Sequence, residues 1–540
     1  MPVPRRRRAR CLLAVVLVGT VVLGAAGCSD DEDAAPAATS VPPPVEGPPP
    51  VDVLRLGVVG LEHLDPAFVL PGDQSSMVAI DLLFDGLTAW DPVSQAPVPG
   101  LAEWTVDPSL TTWTFTLRAD ASFSDGSSVT AADVKGTLER VARLGDLSLA
   151  GVRLDVVAGR AEVASGAVSE LSGVEVIDDQ TVVVRTTQAY AALPELLSSP
   201  LYGVVPTGAD TLPGFDTEPV GSGPYRVDAR DGGLVRLTAT DGAGPPPPGA
   251  VEAIELAVYP DADAAYAGFE QGVTDWSVVP AGQLDEAMVA YGDEAVVPLL
   301  VQLFYGFNLE DPVLSDLALR RAVVQAVDRQ ALLDTLLEAA DPLDGVLPPS
   351  VPGAVPGACG PACAFDPEAA RRTVTAINAE REIPPLSIDV YDDPVERAVA
   401  ESIAENLRAV GLSVDVSVKP FDEYRTFVVG GEQQIFTFGW AGVAADGDVF
   451  LAPLLDSASP DNPVGLTDPV VDLGIRSARA EPDRAARLAL YGEIDKAAMA
   501  QVPILPIASY RTATVLASRV AGYRPRPDGT FVVETLRVDG

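Results

Sequence analysis

The sequence predicts an α/β protein of several domains, on three observations. The chain has 540 residues, of which 47% are hydrophobic and 21% charged. That is globular composition, on a chain too long for one core. Residues 386–418 read as a β-α-β unit, with Leu386, Ile388 and Val390 alternating ahead of a helical pattern and Leu412, Val414, Val416 and Val418 after it. Val301–Asn308 reads as a short apolar, aromatic strand ending in a polar Asn. A turn at Glu310-Asp311-Pro312 follows, then a helix with Ser315 or Asp316 as N-cap and Leu319, Val323, Val327 and Leu332 along one face.

Charge narrows the function. With Arg5, Arg6, Arg7, Arg8 and Arg10 set aside, 31 basic residues face 77 acids, a net of −46. Phosphates and anionic lipid would repel such a body, which excludes nucleic acid and surface docking on acidic membranes. Cys359 and Cys363 are the only cysteines beyond residue 28. In an exported protein the pair reads as one disulfide closing a small loop of modest stabilising value. Free thiols and a metal site are the alternatives, and His63, the chain's one histidine, leaves a metal short of ligands.

The N-terminus explains the export. Residues 1–28 form a signal segment, with arginines ahead of the apolar run Cys11–Ala26. It ends in Ala25-Ala26-Gly27-Cys28, which resembles a bacterial lipobox and implies diacylation of Cys28. A Leu is preferred three residues before the Cys, where Ala25 stands; a plain cleaved signal peptide is the alternative. Residues 29–50 are acidic and then Pro/Ala-rich, so they read as a flexible tether.

The body opens with a strand at Val53–Val59 and the element Leu64-Asp65-Pro66, with His63 read as solvent-facing or capping. Met77–Leu87 reads as a helix. Trp113, Phe115 and Leu117 alternate in a β-meander, a turn falls at Ser124-Asp125-Gly126, and Thr130 caps a helix. Val174–Arg185 is a hairpin turning at Asp178-Asp179. The glycines of Pro219-Val-Gly-Ser-Gly-Pro-Tyr225 suit a tight turn better than a phosphate loop, because no Lys follows. Asp241–Gly249 reads as an elaborated surface loop. In the β-α-β unit, Asp393 caps a helix with Pro394 at its first position, Glu396 completes a box-like arrangement, and Gly411 stops it. The last long helix is 483–499.

These landmarks carry a resemblance. The run Gly86-Leu87, Pro99, Leu101-Ala102, Trp104, Trp113–Arg118, Phe123, Asp125-Gly126, Thr130-Ala131 and Asp133-Val134 is similar to the extracellular solute-binding proteins of ABC importers, peptide/nickel type (family 5). So is the stretch Phe307–Leu333. The resemblance implies a periplasmic-binding-protein-like type II fold: two hinge-linked lobes and an extra inserted domain, cluster C-like. The boundaries it implies are lobe I at 51–83, 214–300 and 504–540, the inserted domain at 84–213, and lobe II at 301–503.

The resemblance also implies the site. Phe436–Ser457 resembles the family's cleft segment, in which a Trp precedes acidic residues. In dipeptide-binding relatives an Asp three residues after that Trp pairs with the ligand's α-ammonium. Here that position is Val443, followed by Asp446 and Asp448, so free peptide N-termini are weakened as ligands. Trp440 reads as a stacking wall or as core, and Asp446 as a ligand contact or a turn residue. Tyr305, Phe307 and Asn308 are further cleft-lining candidates.

The implied function is a lipid-anchored receptor on the outer face of the membrane. It captures a small solute, a peptide or something peptide-like foremost, between two closing lobes and delivers it to ABC permease subunits. It acts as a monomer without cofactor or catalysis. An exported hydrolase lacks Gly-x-Ser-x-Gly, His-Glu-x-x-His and a second histidine, although 77 acids would hide a glycosidase pair. A sensor or scaffold lipoprotein on the same fold is the third reading.

Overall fold

The computed structural model describes residues 53–70, 73–145, 148–240, 251–292, 296–337 and 339–538. The signal segment with Cys28, the tether and the loop 241–249 lie outside the described residues. The fold is mixed α/β, and the described chain gathers into two compact units. Among the described residues, a central unit holds Val301–Ala441 and Asp446–Ser509; a terminal unit holds those up to Leu300, Gly442–Ala445 and those from Tyr510. The chain passes from one to the other after Leu300, Ala441, Ala445 and Ser509.

In the terminal unit, Val53–Val59 runs parallel to Ala253–Tyr259 on one side and to Trp276–Val278 on the other. All but its last residue are buried, the signature of a strand covered on both faces. A separate antiparallel sheet joins Ala102–Val106, Thr112–Leu117, Thr181–Arg185 and Val174–Val176. Trp113, Phe115 and Leu117 face its core at 3%, 0% and 3% exposure, as their alternation requires. Thr130 and Asp133 form a reciprocal capping box on the helix Ala131–Leu144. His63 Nδ1 lies 3.3 Å from an Asp216 carboxylate oxygen.

The first helix corrects the sequence reading. It spans Gln74–Leu83 and stops there, because Phe84 turns extended (φ −137°, ψ 131°). The reason is a close backbone crossing: Gly223 N–H donates to the Leu83 carbonyl at 2.9 Å. A Cβ on Gly221 would stand 1.9 Å from that carbonyl oxygen, and one on Gly223 2.6 Å from the Leu83 carbonyl carbon. The Pro219–Tyr225 glycines are therefore there for packing. Gly221→Ala is expected to destabilise the protein by about 3 kcal/mol or more, the top of the overpacking range. Denaturant unfolding reads this directly, and a loss below about 1 kcal/mol would show that the crossing yields.

In the central unit the strand order is Val414–Lys419, Leu386–Tyr391, Ile435–Ala441, Val296–Phe307, the first two pairings parallel and the third antiparallel. The Ile504–Leu516 strand follows, with Phe307 N–H donating to the Pro503 carbonyl. The helix Pro394–Ala409 links the parallel pair, buries Val399, Ile403 and Leu407, and ends before Gly411 at φ +100°. Asp316 caps Leu317–Ala326, but that helix breaks at Val327. Asp328 caps a second helix, Arg329–Leu336, by accepting from Ala331 N–H. One apolar stripe thus runs over two helices. Cys359 and Cys363 are joined as a disulfide, with Cα atoms 5.6 Å apart.

Candidate ligand-binding face

All five predicted contact residues belong to the central unit, and the register of two strands decides which of them share a surface. Gln302 pairs with Trp440, Phe304 with Phe438, and Gly306 with Phe436. Strand side chains alternate, so these six lie on one face while Tyr305 and Phe307 lie on the other, with Thr437 and Ile435. The five candidates therefore do not all share one face of the sheet. Asn308 stands six residues beyond Gln302, roughly 20 Å along the strand at about 3.3 Å per residue.

The Trp440 face is aromatic. Phe438 stacks on Trp440 with ring centroids 6.2 Å apart and meets Phe304 at 5.4 Å. Gly306 makes room for Phe436, whose ring would lie 2.4 Å from an added Cβ. The Trp440 indole N–H donates to the Val449 carbonyl at 2.9 Å, which fixes the ring against the helix Asp448–Leu455. Asp446 accepts from Asp448 N–H at 2.9 Å and from the Tyr491 hydroxyl at 2.8 Å. Asp448 is held by Arg479 through two bonds of 2.6 and 3.0 Å. Gly447 lets this loop press on Tyr491, whose ring would be 2.6 Å from a Cβ. Trp440 and Asp446 are 1% exposed, so each has a packing role here.

The opposite face is a buried polar cluster around Glu396. Thr437 Oγ1 donates to Glu396 Oε2 at 2.6 Å and the Tyr391 hydroxyl to Oε1 at 3.3 Å; the Tyr424 hydroxyl donates to the Thr437 carbonyl. Burial pushes the Glu396 carboxyl up to about 7, with Asp393 adding to the rise and the Thr437 and Tyr391 hydrogen bonds opposing it. Burial likewise holds the Tyr305 hydroxyl well above its ordinary range. Glu396 does not complete the expected capping box. Asp393 alone accepts from Val395 and Glu396 N–H, because the Glu396 side chain turns inward. Asn308 is likewise structural: its Nδ2 donates to the Gly431 and Gln433 carbonyls and its Oδ1 accepts from Glu310 N–H.

Sequence reasoning missed Gln302. It is the one hydrogen-bonding side chain besides Tyr305 within Val296–Phe307, it is 0% exposed, and neither polar atom of its carboxamide has a hydrogen-bond partner among the described residues. A lone Gln inside a long apolar strand was the available signal. Among the described residues no group of three or more His, Cys, Asp or Glu could hold a metal ion, and no helix is long and apolar enough to cross a membrane.

Comparison with known proteins agrees with this architecture. Residues 96–462 match the family model of bacterial extracellular solute-binding proteins, family 5. The dipeptide-binding protein of Escherichia coli strain K12 is 25% identical over 475 residues, covering 82% of this chain and 86% of that protein. Heme-binding protein A of Haemophilus influenzae is 25% identical over 396 residues, with 68% and 70% covered. The unliganded open form of the periplasmic murein tripeptide-binding protein MppA superposes with a TM-score of 0.76 at 21% identity, over 90% of this chain and 97% of that one.

Proposed function

Because this chain belongs to family 5 of the bacterial extracellular solute-binding proteins, a family of binding proteins rather than enzymes, we propose that it captures a peptide or peptide-like solute and hands it to an ABC permease. The observation that carries the reading is the match over 96–462, supported by relatives whose names specify dipeptide, di/tripeptide and oligopeptide binding. On this reading two lobes close on the solute, since only a state in which both contact it collects the full binding energy. Trp440 and Asp446 are the proposed contacts. Cys28 is the proposed lipid anchor that keeps the receptor at the outer face of the membrane as a monomer.

Calorimetry and thermal melting with alanine and phenylalanine peptides of two to five residues test the ligand class, with heme as the contrasting ligand. Micromolar or tighter peptide binding, accompanied by compaction in solution scattering, is the expected result. Binding of heme and of no peptide would overturn it. Mass spectrometry of the mature N-terminus tests the anchor, and an unmodified first residue other than Cys28 would remove it.

A further inference from the structure

Each unit by itself carries a large excess of acid. Residues 301–509 hold 32 Asp and Glu against 15 Lys and Arg, a net of −17. Residues 53–300 with 510–540 hold 39 against 16, a net of −23. Solubility asks for less: a net charge of magnitude about 2–8 keeps a small domain in solution, and each unit exceeds that.

Much of the positive charge is spent on local partners. All three lysines are paired, Lys135 with Glu170 at 2.6 Å, Lys419 with Asp389 at 3.2 Å and Lys496 with Glu493 at 2.9 Å. Arg140, Arg479 and Arg526 are held by Asp65, Asp448 and Asp81, with the three guanidinium side chains 6%, 10% and 11% exposed. Acids such as Glu103 and Asp179 in the terminal unit and Glu382 and Glu405 in the central one stand exposed. The long-range field of each unit is therefore negative. A charge excess of this size raises surface potentials of several kT, which concentrate cations near the protein and hold anions off.

We propose that this field selects among solutes, drawing in peptides that carry Lys or Arg and holding off peptides rich in carboxylates. The proposal rests on the peptide reading above and adds which peptides arrive. Long-range attraction acts on the encounter, so it speeds association and leaves dissociation to the contacts in the fitted complex. Selection of this kind needs no particular side chain in the site. It weakens as salt shortens the reach of the field.

Stopped-flow association of wild type at pH 7 compares pentaalanine with Ala-Lys-Ala-Lys-Ala and Ala-Glu-Ala-Glu-Ala. Salt runs from about 0.01 M, where the screening length is roughly 30 Å, to about 1 M, where it is roughly 3 Å. At low salt the lysine peptide is expected to associate about tenfold or more faster than the glutamate peptide, with pentaalanine between them. At high salt the three rates should fall within about twofold of one another, with dissociation rates little changed throughout. A variant combining Glu103→Lys, Asp179→Lys, Glu382→Lys and Glu405→Lys reverses two exposed sites in each unit. It should slow the lysine peptide by about twofold or more at low salt and speed the glutamate peptide. Equal association rates at low salt overturn the proposal while leaving peptide capture intact. So does a cationic preference that sits in dissociation and ignores salt, since that would be a local contact, and so does a folded variant with wild-type rates for both charged peptides. The salt series on wild type decides without the variant should it fail to fold. Wild type that binds none of the three peptides overturns the peptide reading and this inference together.

Discussion

Raising the pH from 5 to 8 is expected to lower the unfolding free energy by several kcal/mol. The source is a set of carboxyls whose protonated form the folded state prefers. Burial pushes Glu396 from 4.5 to about 7 and Asp495 from 3.8 to about 6, the latter against hydrogen bonds from Val346 and Leu347 N–H. A carboxyl raised in this way binds its proton more tightly folded than unfolded. The stability it brings is complete below the unfolded value and drains away as pH climbs to the folded one. At 1.36 kcal/mol per pH unit, Glu396 and Asp495 each withdraw about 3 kcal/mol by pH 7. That is a large share of a typical net stability of roughly 5–15 kcal/mol.

Asp81 and Asp85 in the terminal unit are pushed the same way, to about 7, chiefly by burial. The Arg526 guanidinium, which donates to both Asp81 oxygens, works against the rise, so Asp81 contributes less than its burial suggests. Carboxyls shifted the other way, such as Asp125 and Asp178, are held by hydroxyl and backbone donors at loop tips, and their contribution is lost only in stronger acid. Thermal or urea unfolding across pH 4.5–8.5 should therefore show the greatest stability near pH 5. Glu396→Gln should flatten the upper part of the curve while keeping an acceptor for Thr437. A stability that is level or rising from pH 5 to 8 would show that these carboxyls stay charged when buried.

Glu396 also shows where sequence reasoning stops. The helix 394–409 was legible because Asp393, Pro394, the apolar spacing and Gly411 all point to the same element. The Glu396 side chain was not, because a local capping rule competed with a buried partner, Thr437, 41 residues away. The end of the first helix at Leu83 is not legible in the sequence for a similar reason. Nothing near Phe84 forbids another turn, and the constraint arrives from Gly221, whose neighbourhood is set by the fold. The break at Val327 was hidden because the apolar period continues across it while Asp328 starts afresh.

The candidate site divides along the same line. The chemistry of Phe436–Ser457 was visible as residue types, but the face on which each side chain stands depends on strand register, and register is a tertiary property. That is why Tyr305 and Phe307, three and five residues beyond Gln302 on the same strand, belong to a different surface. Gln302, whose carboxamide has no hydrogen-bond partner among the described residues, stands in the sequence as an interruption of an apolar strand.

Removing Arg479 is expected to cost about 3–5 kcal/mol, because it strands a buried charge. The Arg479 and Asp448 side chains are 10% and 5% exposed and meet through two hydrogen bonds. Two residues away Asp446 is 1% exposed, so Arg479→Met leaves two carboxyls close together in a poorly hydrated loop. Repulsion and desolvation then favour an opened loop. Opening would release the Tyr491 hydroxyl from Asp446 and loosen the helix whose Val449 carbonyl holds the Trp440 indole. The single variant should therefore lose stability and disturb Trp440 fluorescence together. Pairing it with Asp448→Asn removes the stranded charge and should restore a large part of the stability. Peptide affinity separates the parts of this network: if Asp446 is the contact and Asp448 its support, the double variant regains affinity along with stability. Recovery of stability without affinity would assign the ligand contact to the Asp448–Arg479 pair itself.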